Sequence, residues 1–551
     1  MRLSLICLLG LLTGCGGPSY DVILRGGTLY DGSGRPGVVA DLGIRGDSIA
    51  AVGDLKQARA PLELDVHGLA VSPGFINMLS WATVGLMIDG RSQSDIRQGV
   101  TLEVFGEGSS MGPYTDSMVA EAIARQGDYR YDITWRTLGG YLDTLVARGI
   151  STNVASFIGA STVRQHVLGH DPRPATAGEV SRMQDLVRAA MREGALGVGS
   201  SLIYEPGMFA TTAELTALAG AAAEFDGMYI SHIRNENDSL LDAVDEFLDI
   251  ARGSGARSEI YHLKAAGRAN WGKLDEAIRR IEAARGSGLA ITADMYTYPA
   301  SSTGLDALMP GWIREGGFDK WRERLQDRTS RARLLAEWRA RPGGAFAGPG
   351  GPDGVLLVDF RTDSLRYLTG KTLAEVARLR NASPELTVMD LVVQDNSRVG
   401  CVYFTMTEDN LRKQVVLPWL SFGSDASSMA PEGEFLKSNP HPRAYGTFAR
   451  VFAKYVREDG LLTVEEAVRK LTSLPAENLR LSRRGRLAPG YSADVVVFDP
   501  ATIQDHATFD RPHQYATGVQ HVLVNGTVVL RDGEHTDARP GRVVRGPGAG
   551  S

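Results

Sequence analysis

Short apolar runs and longer stretches of helical periodicity alternate along the middle of the chain. The apolar runs cover residues 70–77, 101–105, 153–158, 196–202, 228–232, 259–263, 290–295 and 417–422. Stretches at 175–193, 213–225, 238–254 and 274–286 repeat apolar positions at helical spacing between several of them. Continuous apolar runs separated by helices predict parallel strands buried on both faces. Eight such strands predict a (β/α)₈ barrel, whose reactive side chains gather at the C-terminal strand ends.

The two ends of the chain have a different rhythm. Residues 22–24, 29–30, 41–45 and 48–52 are short and strand-like, with Gly46-Asp47 as a hairpin turn. Residues 493–498, 521–524 and 527–530 repeat the style around Asn525-Gly526. The expected organisation is a β-sandwich built from 20–72 and 484–535, and a barrel from 73–309 and 400–483. More than a hundred residues separate the seventh and eighth strands, too many for a plain loop. The charged helical and Gly/Pro-rich segment 310–399 is therefore expected to be an inserted lid. The Gly/Arg-rich stretch 536–551 is expected to be a disordered tail.

Residues 1–19 have the pattern of a lipoprotein signal peptide and tether. Arg2 precedes an apolar stretch at 3–12, too short to span a bilayer. Leu12-Thr13-Gly14-Cys15 resembles a bacterial lipobox, so Cys15 is expected to carry lipid, followed by the spacer Gly16-Gly17-Pro18-Ser19. No later apolar run approaches the length of a membrane span. The expectation is an extracytoplasmic protein, periplasmic-facing and touching the membrane only through that anchor.

Composition is that of a globular protein, 43% hydrophobic and 23% charged, and the formal net charge is −6. No basic run is interleaved with aromatics, so nucleic acid is not an expected partner. The three cysteines are Cys7, Cys15 and Cys401. Loss of the signal and acylation of Cys15 would leave Cys401 alone, as a small buried hydrophobe.

The chemistry follows from where the rare polar residues fall. Two of the ten histidines, His232 and His262, end neighbouring predicted strands in MYISHI and EIYHLK. Asp425 follows the last strand in LPWLSFGSD, and Asp294 lies near the end of the seventh. Imidazole nitrogen and carboxylate oxygen are the donors zinc takes when thiolate is absent. His232 and His262 are expected to hold one Zn²⁺ per chain. Glu107, between Gly106 and Gly108, is expected to be a third ligand or a group orienting a histidine. Asp425 is expected to be the general base that takes a proton from the attacking water and returns it to the leaving nitrogen. Lys264, two residues past His262, is expected to offer a cation to a substrate carboxylate, and Arg443 a two-pronged grip on one. Tyr204 and Tyr296 or Tyr298 are expected to line the pocket with hydroxyl donors.

PGFI at 73–76, QGVT at 98–101, SHIRNE, HLKAAG, DMYTYPASSTGL, GSDA and HPRAYGTFAR occur in this order. Together they resemble the D-aminoacylase branch of the amidohydrolase superfamily, from about residue 21 to 530. The resemblance implies a metal-dependent barrel with a β-sandwich and an inserted lid. It implies hydrolysis of N-acyl-D-amino acids, small-molecule substrates, to a carboxylate and a free D-amino acid. It carries His232 and His262 over as zinc ligands, and Asp425 as the base. Tyr204, Lys264, Tyr296 and Arg443 carry over as contacts to the substrate carboxylate. Three departures mark a subgroup. The His-X-His usual after the first strand is replaced in Asn77-Met78-Leu79-Ser80-Trp81. Gly106-Glu107-Gly108 stands where a cysteine ligand is usual. Gly159-Ala160-Ser161 lacks a histidine often found there. Other activities compatible with these residues are a dipeptidase, a cyclic amidase, or a surface binding lipoprotein without turnover.

Overall fold

The computed structural model describes residues 20–550; residues 1–19, with the expected signal peptide and Cys15, lie outside the described residues. Eight barrel strands occur in chain order: β1 Phe75–Asn77, β2 Val100–Phe105, β3 Asn153–Ser156, β4 Gly197–Ser201, β5 Met228–His232, β6 Arg257–Ile260, β7 Ile291–Met295 and β8 Leu420–Phe422. β1 to β3 pair in parallel. Ile158–Gly159, just past β3, hands the sheet to β4, and β4 to β8 continue in parallel. The ring closes where Met78 N–H donates to Phe422 O (3.2 Å) and Asp425 N–H to Leu79 O (2.8 Å).

Every residue of β2, β4 and β5 is buried, so their polar members need partners; Glu103 of β2 accepts from Ser80 Oγ (2.6 Å) and Thr152 Oγ1 (3.0 Å). Several helices are amphipathic and capped by a side chain. Ala177–Glu193 starts with a Thr176–Glu179 capping box and buries Met183, Val187, Ala190 and Met191. Such a cap contributes about 1 kcal/mol.

The run 70–77 is two strands. Ala70–Pro73 joins the β-rich domain and Phe75–Asn77 opens the barrel; Pro73 has no N–H to continue a ladder. The β-rich domain is one nine-stranded hydrogen-bonded sheet drawn from both ends of the chain. Its seam is Val495–Phe498 antiparallel to Ala70–Pro73. Alternation on that strand divides two cores. Val495 and Val497 pack into the β-rich domain, whereas Val496 and Phe498 pack into the barrel beside Phe75 and Phe452.

The insert is larger than residues 310–399. Its three-stranded antiparallel sheet uses Ser301–Gly304, Val355–Asp359 and Gly400–Tyr403. It has its own apolar core, including Trp321, Trp338, Leu357 and Cys401. Burial pushes the Cys401 thiol up to about 12, so it is inert packing.

The stretch expected to be a disordered tail is instead ordered against the N-terminal ends of β3 and β4. Gly541 N–H donates to Ile150 O (2.8 Å), Val544 N–H to Val154 O (2.8 Å) and Gly546 N–H to Gly194 O (2.8 Å). Arg542 reaches Asp47 at 2.6 Å and Arg545 reaches Asp143 at 3.0 Å. Composition alone reads Gly and Arg as disorder. Here the open backbone groups and acidic side chains of the folded domains recruit them. No helix among the described residues is long and apolar enough to cross a membrane.

Candidate metal centre and active site

Glu107 leaves β2 on a turn that only glycine allows. Gly106 and Gly108 have φ of +111° and +69°. A β-carbon at Gly106 would fall 2.5 Å from Phe157 O, and one at Gly108 would fall 2.5 Å from the Ser201 β-carbon. The backbone is thus pressed against β3 and β4, and the Glu107 side chain enters the barrel mouth.

His232 is the last residue of β5. His262 lies two residues beyond β6, at φ +33°. Its N–H donates to Asp294 Oδ1 (2.7 Å), which gives that buried aspartate a structural task. The Glu107 Oε1 atom lies 2.8 Å from His232 Nδ1 and 3.1 Å from His262 Nε2. Both imidazoles and Glu107 are buried, and their three donor atoms lie within 4.8 Å of one another.

These donors fit zinc. Bonds of about 2.0–2.2 Å at tetrahedral angles place ligand atoms about 3.3 Å apart. The outer nitrogens of both rings turn to a single carboxylate. Glu236 Oε1 lies 3.2 Å from His262 Nδ1, and Oε2 lies 3.7 Å from His232 Nε2. The buried His232 Nε2 has no hydrogen-bond partner among the described residues. A carboxylate behind each ligating imidazole is the usual orienting arrangement.

Charge agrees with geometry. Burial alone would push the Glu107 carboxyl up, but hydrogen bonds from both imidazoles hold it well below the usual carboxylate range. Burial and Lys264 lower the His262 pKa, and Glu107 and Glu236 overcome them and hold it up at about 10.

Asp425 sits at φ +50° just past β8. Left-handed backbone at a non-glycine residue costs about 1–3 kcal/mol and tends to mark functional positions. Its Oδ2 pairs with Arg443 Nη1 at 2.8 Å. Its Oδ1 accepts from Trp81 Nε1 (3.1 Å), and the same indole N–H reaches Glu107 Oε2 (2.9 Å). Burial raises the Asp425 carboxyl, opposed by Arg443.

Of the remaining predicted residues, Tyr204, Lys264 and Tyr296 also reach this mouth and Tyr298 does not. Lys264 is buried, but it does not sit on a strand with His262, because β6 has already ended. Its ammonium donates to Glu236 Oε1 (2.5 Å) and lies 2.8 Å from His262 Nδ1. Tyr296 presents its face rather than its hydroxyl. Arg443 Cζ lies 4.5 Å from the ring centroid and Lys264 Nζ 5.7 Å, while the hydroxyl turns to Met406 Sδ. Tyr298 is directed away, to Asp505. Tyr204 OH meets Thr303 Oγ1 at 2.8 Å.

Three groups escaped sequence reasoning. Trp81 showed only as the end of the stretch that lacks His-X-His, Glu236 as one of several polar residues after β5, and Arg398 as part of the insert. Arg398 lies 4.7 Å over the Tyr204 ring and is tied to Asp306 at 2.8 Å. Trp81, Glu236 and Arg398 line, with the metal-donor set, Asp425 and Arg443, a cavity of about 460 Å³, large enough for a small ligand.

Comparison with known proteins agrees with this architecture. The family model described as "Amidohydrolase family" matches residues 63–530. A D-aminoacylase of Alcaligenes xylosoxydans xylosoxydans is 35% identical over 530 residues, covering 95% of this chain and 97% of the relative. The structure is similar to an N-acyl-D-glutamate deacylase from Bordetella bronchiseptica complexed with zinc and a phosphonate inhibitor. There the TM-score is 0.80 at 32% identity, over 96% of this chain and 100% of the other. It is also similar to a D-aminoacylase described as having a binuclear metal centre, with one-metal activation and second-metal attenuation. That match has a TM-score of 0.77 at 32% identity, over 96% and 100% of the two chains. This chain therefore belongs to the amidohydrolase family, in its D-aminoacylase branch, and is an enzyme that hydrolyses amides.

Proposed function

We propose that this chain removes the acyl group from N-acyl-D-amino acids, using one Zn²⁺ held by Glu107, His232 and His262, with Asp425 as general base. The observation that carries the reading is the meeting of that donor set with the Asp425–Arg443 pair in one cavity. The D-amino-acid specificity rests on the likeness to D-aminoacylases and N-acyl-D-glutamate deacylases.

Zinc in such a site supplies Lewis acidity toward an acyl carbonyl and toward water. The protein supplies the rest. Arg443 is buried, and neither its Nε nor its Nη1 has an aligned hydrogen-bond acceptor. The 2.8 Å contact to Asp425 is thus an ion pair without hydrogen-bond alignment, and the guanidinium keeps donors for a substrate carboxylate. Lys264 adds a second positive charge near the Tyr296 ring. Asp425, fixed between Trp81 and Arg443, accepts the proton of the attacking water and delivers it to the departing amine nitrogen. Glu236 stands behind both imidazoles, nearer to His262 than to His232. The insert, through Thr303 and Arg398, forms the wall that meets the rest of the substrate. The enzyme acts outside the cytoplasm in this proposal, tethered through lipid on Cys15.

The test is metal analysis paired with a hydrolysis screen. One zinc per chain and turnover of N-acetyl-D- over N-acetyl-L-amino acids are expected. Full activity in a chelator-stripped, metal-free sample would refute the reading.

A further inference from the structure

Each carboxylate at the cavity floor divides its oxygens between two tasks. Glu107 gives Oε1 to the two imidazoles and Oε2 to Trp81. Asp425 gives Oδ2 to Arg443 and Oδ1 to Trp81. A second divalent cation shared by these carboxylates would need Oε2 and Oδ1. The indole N–H already lies between them, at 2.9 and 3.1 Å. Indole nitrogen has no lone pair to give a metal and is a donor only.

Trp81 is 36% exposed at the cavity, yet its one polar atom faces the carboxylates. The backbone keeps it there. Trp81 N–H donates to Ala426 O (2.9 Å), Ser80 bridges Ala426, and Asp425 N–H donates to Leu79 O (2.8 Å). The ring and the aspartate are laced into one frame where the barrel closes between β8 and β1.

We propose that Trp81 is a positioning residue that limits this centre to a single metal ion. Its N–H occupies the place of a second cation and holds Asp425 at a fixed distance from Glu107. This rests on the zinc-hydrolase reading above.

The experiment is equilibrium dialysis of the full chain against Zn²⁺ near neutral pH, with metal per chain measured by mass spectrometry and folding checked by circular dichroism. The parent is expected to saturate at one ion. Trp81→His replaces a donor with a ligand and is expected to saturate at two. Trp81→Phe keeps an aromatic ring but loses the N–H. Its second-ion affinity is expected to rise about tenfold to a hundredfold, the span of a hydrogen bond to a charged group. Trp81→Gln restores an N–H donor and is expected to return to one ion, a rescue that packing alone would not produce. A parent that binds two ions overturns the proposal. So does a folded Trp81→His that stays at one. If Trp81→His does not fold, a Trp81→Phe variant that binds like the parent overturns it. A parent that binds no metal refutes the zinc reading itself, and this inference with it.

Discussion

Asp425→Asn separates the chemistry of this site from its architecture. Asparagine keeps the shape and an oxygen for Trp81, but it has no charge and no capacity to carry the proton. Loss of a positioned general base lowers kcat by about 10²–10⁴-fold, or about 3–5 kcal/mol of activation free energy. The pair it breaks is 5% and 12% exposed, with atoms 2.8 Å apart. At an effective dielectric constant of about 20, that attraction is roughly 6 kcal/mol before desolvation is subtracted. Leaving Arg443 buried without its partner costs about 3–5 kcal/mol, a large share of a typical fold's margin. The variant is therefore expected to melt earlier as well as turn over slowly.

Substrate affinity should move the other way. Asp425 competes with the substrate carboxylate for Arg443, so KM in Asp425→Asn is expected to hold or fall. Steady-state kinetics with an N-acetyl-D-amino acid, beside thermal melts, read both effects. The double variant Asp425→Asn/Arg443→Gln removes the stranded charge and is expected to recover stability without recovering turnover. A folded Asp425→Asn enzyme with kcat within tenfold of the parent would refute the assignment of Asp425 as the base.

Other outcomes follow from the same geometry. Without metal, His262 is held up at about 10, so zinc binding must expel its proton; calorimetry in buffers of different ionisation enthalpy is expected to show proton release, with affinity rising about tenfold per pH unit below that value. The imidazolium's contribution to metal-free stability is complete below pH 6.5 and is lost as pH rises through about 10, so the metal-free melting temperature is expected to fall across that window. Gly106→Ala forces a β-carbon to 2.5 Å from Phe157 O at φ +111°; displacement of Glu107 is expected to weaken zinc binding about tenfold or more, measured by competition with a chelator. Cys15→Ser is expected to move the protein from the membrane fraction to the soluble extracytoplasmic fraction, checked by fractionation and lipid labelling.

What the sequence disclosed was mainly what burial and period enforce. Strands buried on both faces are mainly apolar or small, so β2, β4 and β5 stand out despite Glu103, Ser200 and Ser231. A histidine ending such a run could equally be a core residue, and it was the pairing of His232 with His262 on the next strand end that pointed to a metal. The boundaries were harder, because they depend on single backbone events. Pro73 divides one apolar run between two domains, and Gly/Arg composition at 536–550 says nothing of the acceptors at Ile150, Val154 and Gly194 that order it. His262 and Lys264 meet through a left-handed residue beyond the end of β6, not through the pleat of a strand.

Trp81 marks the sharpest limit. In the chain it belongs to a stretch that lacks the usual His-X-His, and such a loss suggests a weakened site. In space it is a gain, because its N–H joins Glu107 and Asp425, which are 318 positions apart in the sequence. Whether a substitution empties a site or refits it depends on which atoms it faces, and that is set by the closure of the barrel between β8 and β1. Local pattern cannot express such a closure. It also explains how the two strand-end histidines and the last-strand aspartate stay together here without the motif that usually accompanies them: the indole supplies to the carboxylates the positive edge that a further cation would otherwise provide.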